Sequence, residues 1–138
     1  MRAVAGVRPA WLRRRIDVRR IVTHDFPLKA VAVVIDGAPC YCGLAGCWET
    51  VATLPWLRAQ AKATGLPDPM KATAAELVKS EEPLAAALLA RYVDHLAAGL
   101  ANLVNLLGTH RLVLHGDIVG GGEPVRAAVE ASVKARTL

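Results

Sequence analysis

One stretch constrains the fold more than any other. Leu84, Leu88, Tyr92, Leu96, Leu100, Leu103 and Leu107 recur at spacings of three and four, the period of one helical face. Leu89, Val93 and Val104 widen that stripe, so the helix must be covered on more than one side. At 1.5 Å per residue it is about 36 Å long, and Gly108 is a good C-terminal stop. Other elements must therefore pack around it, and a chain of 138 residues has enough of them. At about 150 residues a domain hides roughly 70% of its unfolded surface. Aromatics are only 4% of the sequence, so Ala, Val and Leu must build the core. Arg91, Asp94, His95, Asn102 and Asn105 lie in the same stretch, Leu84 to Leu107, which argues against an unassisted membrane span.

The flanking sequence supplies candidate partners for that helix. Leu28 to Ile35 is short and rich in β-branched residues, which suits a strand, and Asp36-Gly37 signals a turn. Trp48 to Thr64 reads as helical, with Pro55 either kinking or restarting it. Thr73 and Glu76 match a capping box at the start of a short helix reaching about Ser80. After the long helix, Leu112 to Leu114 reads as a short buried strand, Gly116 to Gly122 as a glycine-rich loop, and Pro124 to about Ala135 as a final amphipathic helix. This order predicts an α/β fold.

Charge divides the chain in two. The net charge is +5, a balance that invites a nucleic-acid partner. Residues 1–30 hold eight basic residues against Asp17 and Asp25, a net of +6, while residues 31–138 hold nine basic and ten acidic residues, a net of −1. The basicity is thus a property of the first 30 residues. An Arg-rich stretch at 2–20 could bind phosphates without sequence specificity, but Trp11 is its only aromatic, and a solvated segment is the plainer reading. The same stretch has no apolar core of a signal peptide, so a cytoplasmic location is expected.

All three cysteines fall within eight positions, in Cys40-Tyr41-Cys42-Gly43-Leu44-Ala45-Gly46-Cys47. In a cytoplasmic protein such clustering favours a metal over a disulfide. Gly43 and Gly46 allow the backbone to curl so that three thiolates converge, and tetrahedral zinc then wants a fourth ligand. Three reduced thiols in a tight turn are the bland alternative.

Pro39 to Glu49 resembles the zinc signature CxCGxxGCxE of the ROK family (repressors, open reading frames and sugar kinases). Leu96 to Leu107 looks like the family helix before a late nucleotide-side strand, and Leu112 to Gly116 looks like that strand. The resemblance covers about residues 31–138 and implies part of an actin-like, ribonuclease-H-like lobe, an incomplete sheet packed by helices. It also implies that Cys40, Cys42 and Cys47 are zinc ligands and that Glu49 is a carboxylate for sugar hydroxyls. Glu49 equally suits the start of a helix, where the macrodipole favours an anion. Gly116 would line the nucleotide cleft, where His115 replaces the first glycine of a family pair.

Other family features find no counterpart here. The family's GExGH, whose His is the fourth zinc ligand, falls on Phe26 to Ala30, so Pro27 stands for its Glu and Ala30 for its His. His24 lies six residues too early to take that place without a detour of the loop. No phosphate loop, catalytic Asp or helix–turn–helix is matched, so the chain reads as a fragment, and ATP binding and catalysis by this chain alone are not expected. A misplaced start or shifted frame would explain the unlike first 30 residues. A hexose or sugar derivative, a second copy of the chain, and DNA (if an N-terminal domain is supplied) are the expected partners. Two other readings stand beside this one: a glucokinase-like enzyme needing a further N-terminal half, and a nucleic-acid-binding protein using residues 2–20.

Overall fold

A computed structural model of the chain describes residues 31–109 and 111–137. The readings of residues 1–30 as a basic arm, of His24 as a ligand and of the strand's first residues lie outside that range. Among the described residues four α-helices dominate: α1 (Leu54–Ala63), α2 (Ala74–Lys79), α3 (Pro83–Leu107) and α4 (Gly122–Lys134). Short 3-10 turns at Trp48–Thr50, Pro69–Lys71 and Asp117–Gly121 connect them.

Local sequence explains where these helices begin and end. Thr53 accepts a hydrogen bond from the Trp56 amide, and Pro55 sits in the first turn of α1. Pro55 therefore restarts a helix and does not kink one, since its missing N–H is unpaired there in any case. Thr73 accepts from the Glu76 amide at 3.1 Å, one half of the capping box expected from the sequence. Gly108 ends α3 at φ 62°, ψ 30°.

The long helix α3 is the spine. Ala85, Leu88, Tyr92, Val93, Ala97, Leu100 and Ala101 are buried along it, and α1, α2 and α4 pack against it. Leu57 of α1, Leu77 of α2, and Val125 and Val129 of α4 complete one core cluster. Trp56 joins α1 to α3, its ring 6.3 Å from Tyr92, edge-on to His95 at 5.0 Å, and under the Arg91 guanidinium at 5.5 Å. By length and composition α3 would suffice to cross a membrane, but 44% of its most apolar window is buried inside the protein. What the structure shows is a core helix whose inner face is taken up by packing.

The sheet is where expectation and structure part. Among the described residues there is no strand, only two isolated antiparallel bridges, Ala32 with Cys47 and Pro39 with Ala45. Leu112 to Leu114 forms no strand and is only partly covered: Leu112 is exposed and Val113 is 72% exposed, while Leu114 is half-buried against the core. A strand needs a neighbour for its amides and carbonyls, and the described residues offer this segment none. Between it, the second half of α3 and α4 lies a cleft of about 800 Å³, lined by Leu100, Val104, Leu114, Val129 and Val133 among others.

Candidate metal centre

The cysteine segment is a compact double turn. The Cys40 amide donates to the Leu44 carbonyl at 2.7 Å, and the Gly43 amide donates back to the Cys40 carbonyl at 3.0 Å. That closes a tight loop with Cys42 at its tip. The base of the loop is tied down by Gly46, whose amide donates to Ala38 at 2.9 Å while its carbonyl accepts from Val33 at 2.9 Å. Gly46 lies at φ 68°, and a β-carbon there would collide with the Val34 carbonyl. Only glycine permits both the left-handed turn and that approach.

This backbone brings the three sulfurs together. Their Sγ atoms all lie within 4.8 Å of one another, and Cys42 Sγ is 3.4 Å from Cys47 Sγ. None of the three is in a disulfide. A tetrahedral ion with Zn–S bonds of about 2.3 Å holds its sulfurs about 3.8 Å apart, so the donor set suits a thiophilic ion with small side-chain adjustments. Among the described residues these cysteines are the group that could hold a metal.

Their environments differ. Cys47 is fully buried, Cys40 half-buried and Cys42 exposed. Burial, helped by hydrogen bonding to Cys42, pushes the Cys47 thiol up to about 12. A backbone hydrogen bond at Leu44, followed by the one from Cys47, holds Cys42 below the usual thiol range. Of the two, Cys42 is therefore the more readily deprotonated. A bound cation would override this difference, because a coordinating thiol is deprotonated outright.

The loop is docked on the spine by the residue after the last cysteine. Trp48 Nε1 donates to the His95 carbonyl of α3 at 3.0 Å, and its ring lies against Gly99, where a β-carbon would overlap the indole. The Trp48 amide donates to Val31 at 2.8 Å, and the Thr50 hydroxyl caps the Cys47 carbonyl at 2.6 Å. Glu49 sits in the 3-10 turn that Cys47 opens, with one carboxylate oxygen shielded from solvent. The Trp48–Gly99 contact had a faint signature in the sequence, an isolated glycine inside an otherwise strong helical pattern.

Gly116 belongs to another part of the fold, the loop between α3 and α4. It adopts φ 85°, ψ −153°, a region essentially restricted to glycine. The structure therefore shows a backbone reason for that glycine. Asp117, next to it, accepts from the Ala74 amide at 3.0 Å and so caps α2 from 43 positions away. The cysteines and Glu49 share one loop, and Gly116 is separate from it in the chain path.

Comparison with known proteins identifies what this arrangement resembles. A family model described as the ROK family matches residues 27–138. The uncharacterized protein YphH of Escherichia coli (strain K12) is 35% identical over 99 residues, which cover 64% of this chain and 25% of that protein. A solved ROK family transcriptional regulator, a homolog of the E. coli MLC protein, matches with a TM-score of 0.67 at 23% identity, over 80% of this chain and 31% of that one. The ROK hexokinase from Thermus thermophilus matches with a TM-score of 0.66 at 25% identity, over 79% of this chain and 37% of that one. The chain thus spans between a quarter and little more than a third of the length of these relatives.

Proposed function

Because the chain belongs to the ROK family, we propose that it forms the zinc-loop portion of an actin-like lobe, related to sugar-responsive regulators and sugar kinases. In this reading Cys40, Cys42 and Cys47 hold one zinc ion. The observation that carries it is the convergence of three thiols within 4.8 Å in a loop of eight residues. When bound, the ion supplies a cross-link that fixes the loop, the part played by structural zinc in small motifs. The fourth position falls to water or to a residue outside the described set.

Under the same proposal Glu49 is the carboxylate for hydroxyls of a hexose or sugar derivative, and Gly116 lines the nucleotide side. Residues 31–138 make up the lobe, with residues 1–30 as a separate basic segment. The lobe's sheet is completed by strands beyond those described. The location is cytoplasmic, and DNA becomes a partner only where an N-terminal domain is supplied. No catalytic residue is assigned. Phosphoryl transfer requires cradled phosphates, a metal and a base on the acceptor hydroxyl, and the resemblance places none of these on a residue of this chain.

Cobalt(II) tests the metal reading. Titrated into the reduced protein, it should give the intense near-ultraviolet absorption of thiolate–cobalt charge transfer. Cys42→Ser should weaken binding by more than the roughly 10–100-fold that loss of a mere outer-shell partner costs. Equal spectra for both proteins would refute the site. Glucose phosphorylation should be undetectable, and measurable turnover dependent on Glu49 would favour the kinase reading, to which the hexokinase similarity lends support.

A further inference from the structure

The three cysteines are not equivalent, and their differences point beyond metal binding. Cys47 is held at both ends: it bridges Ala32, and its carbonyl accepts from Thr50. Its sulfur is fully buried. Cys40 is held too, with its amide and carbonyl both engaged inside the turn. Cys42 is at the exposed tip, beside Gly43 at φ 86°, where nothing lies within 4 Å of a would-be β-carbon. It is also the cysteine with a sulfur 3.4 Å from Cys47.

We propose that Cys42 and Cys47 are an oxidisable pair, closed to an intramolecular disulfide by peroxide, with Cys40 left as the thiol. A disulfide bond needs the sulfurs at about 2.05 Å, so one of them must move by more than 1 Å. The open tip lets Cys42 make that movement while Cys47 stays fixed. A Cys40–Cys42 bond would span one residue across a turn that is already hydrogen-bonded, and a Cys40–Cys47 bond would join two pinned positions.

The chemistry balances with hydrogen peroxide as the oxidant. The sulfur of Cys42 attacks the O–O bond, an S–O bond forms, and the other oxygen leaves as water with the thiol's proton. The product is a sulfenic acid on Cys42. The Cys47 sulfur then attacks that sulfur, and the hydroxyl leaves as water with the Cys47 proton. Two thiols and one peroxide become one disulfide and two waters, with two electrons passing from sulfur to oxygen. If the metal reading above holds, closure removes two of the three zinc ligands, so oxidation also controls metal occupancy.

The test uses the full reduced chain, chelator-treated so that it does not depend on metal, and one equivalent of hydrogen peroxide. Intact mass should fall by two hydrogens, with one of three thiols left to alkylate. Cys40→Ser and Cys40→Ala should close likewise, while Cys42→Ser and Cys47→Ser should not. The proposal is overturned if the wild-type chain keeps three thiols or forms only intermolecular bonds. Closure of either the Cys42 or the Cys47 variant would overturn it too, as would failure of both Cys40 variants to close while their melts match wild type. A zinc-loaded sample tested in parallel should close more slowly. Equal rates there would count against the metal reading and leave the pair standing.

Discussion

Cys47 and Tyr92 are the residues whose protonation is most visibly bound to folding. Burial pushes the Cys47 thiol up to about 12 from an ordinary 9.0. Burial, and then the charge of Asp117, pushes the Tyr92 hydroxyl up to about 12 from 10.0. Each group is an acid whose folded value lies above its unfolded one. The unfolded chain therefore loses these protons first as pH rises, and stability falls through that window. The stabilisation is complete below about pH 9 and is lost as pH climbs toward 12. Thermal melts of metal-free protein should drop progressively across that range, and Tyr92→Phe should flatten the upper part; a flat profile in the wild-type chain would contradict this. The cysteine cluster itself was legible in the sequence, because eight neighbouring residues with two glycines fix their own turn. That Cys47 is sealed and Cys42 exposed was not, since it depends on what the loop packs against.

Between elements, the contact that seats the loop joins Trp48 to α3, with the Nε1 bond to His95 and the ring against Gly99. In an exposed helix interior Gly→Ala gains about 1 kcal/mol, but a methyl inside an occupied space typically costs about 1–3 kcal/mol. At Gly99 the overlapped atoms are the fused bond of the indole, not the end of a flexible chain. Gly99→Ala should therefore destabilise by ~1 kcal/mol net, measured by denaturant melts, and shift Trp fluorescence. A stabilised variant would show that the loop is not docked there. A helix start and a helix stop were legible from Thr73 and Gly108, because caps act within one turn, whereas Thr53 as the cap of α1 was hidden inside a run read as helical from Trp48. Trp48 on Gly99 and Asp117 on Ala74 join residues 51 and 43 positions apart, and no local pattern announces which distant backbone group a side chain will find.

On the scale of the whole molecule, exposed apolar surface governs how the chain should behave in solution. Leu106 is 75% exposed and Val113 is 72% exposed, and Val113 lines the apolar cleft between α3, the 111–114 segment and α4. Exposed apolar side chains along such a face favour association. Concentration-dependent elution ahead of the monomer volume in size-exclusion chromatography is expected, and monomeric elution with a sharp cooperative melt would contradict it. The strand expected at Leu112 to Leu114 is not formed among the described residues: a run of β-branched and aliphatic residues favours a strand, but pairing requires neighbours that the described residues do not provide. The three converging thiols are tested most directly by zinc per chain, from elemental analysis of protein purified without added metal. Wild-type protein should carry close to one zinc per chain and Cys42→Ser or Cys47→Ser little; wild-type zinc no higher than in those variants would contradict a three-thiol site.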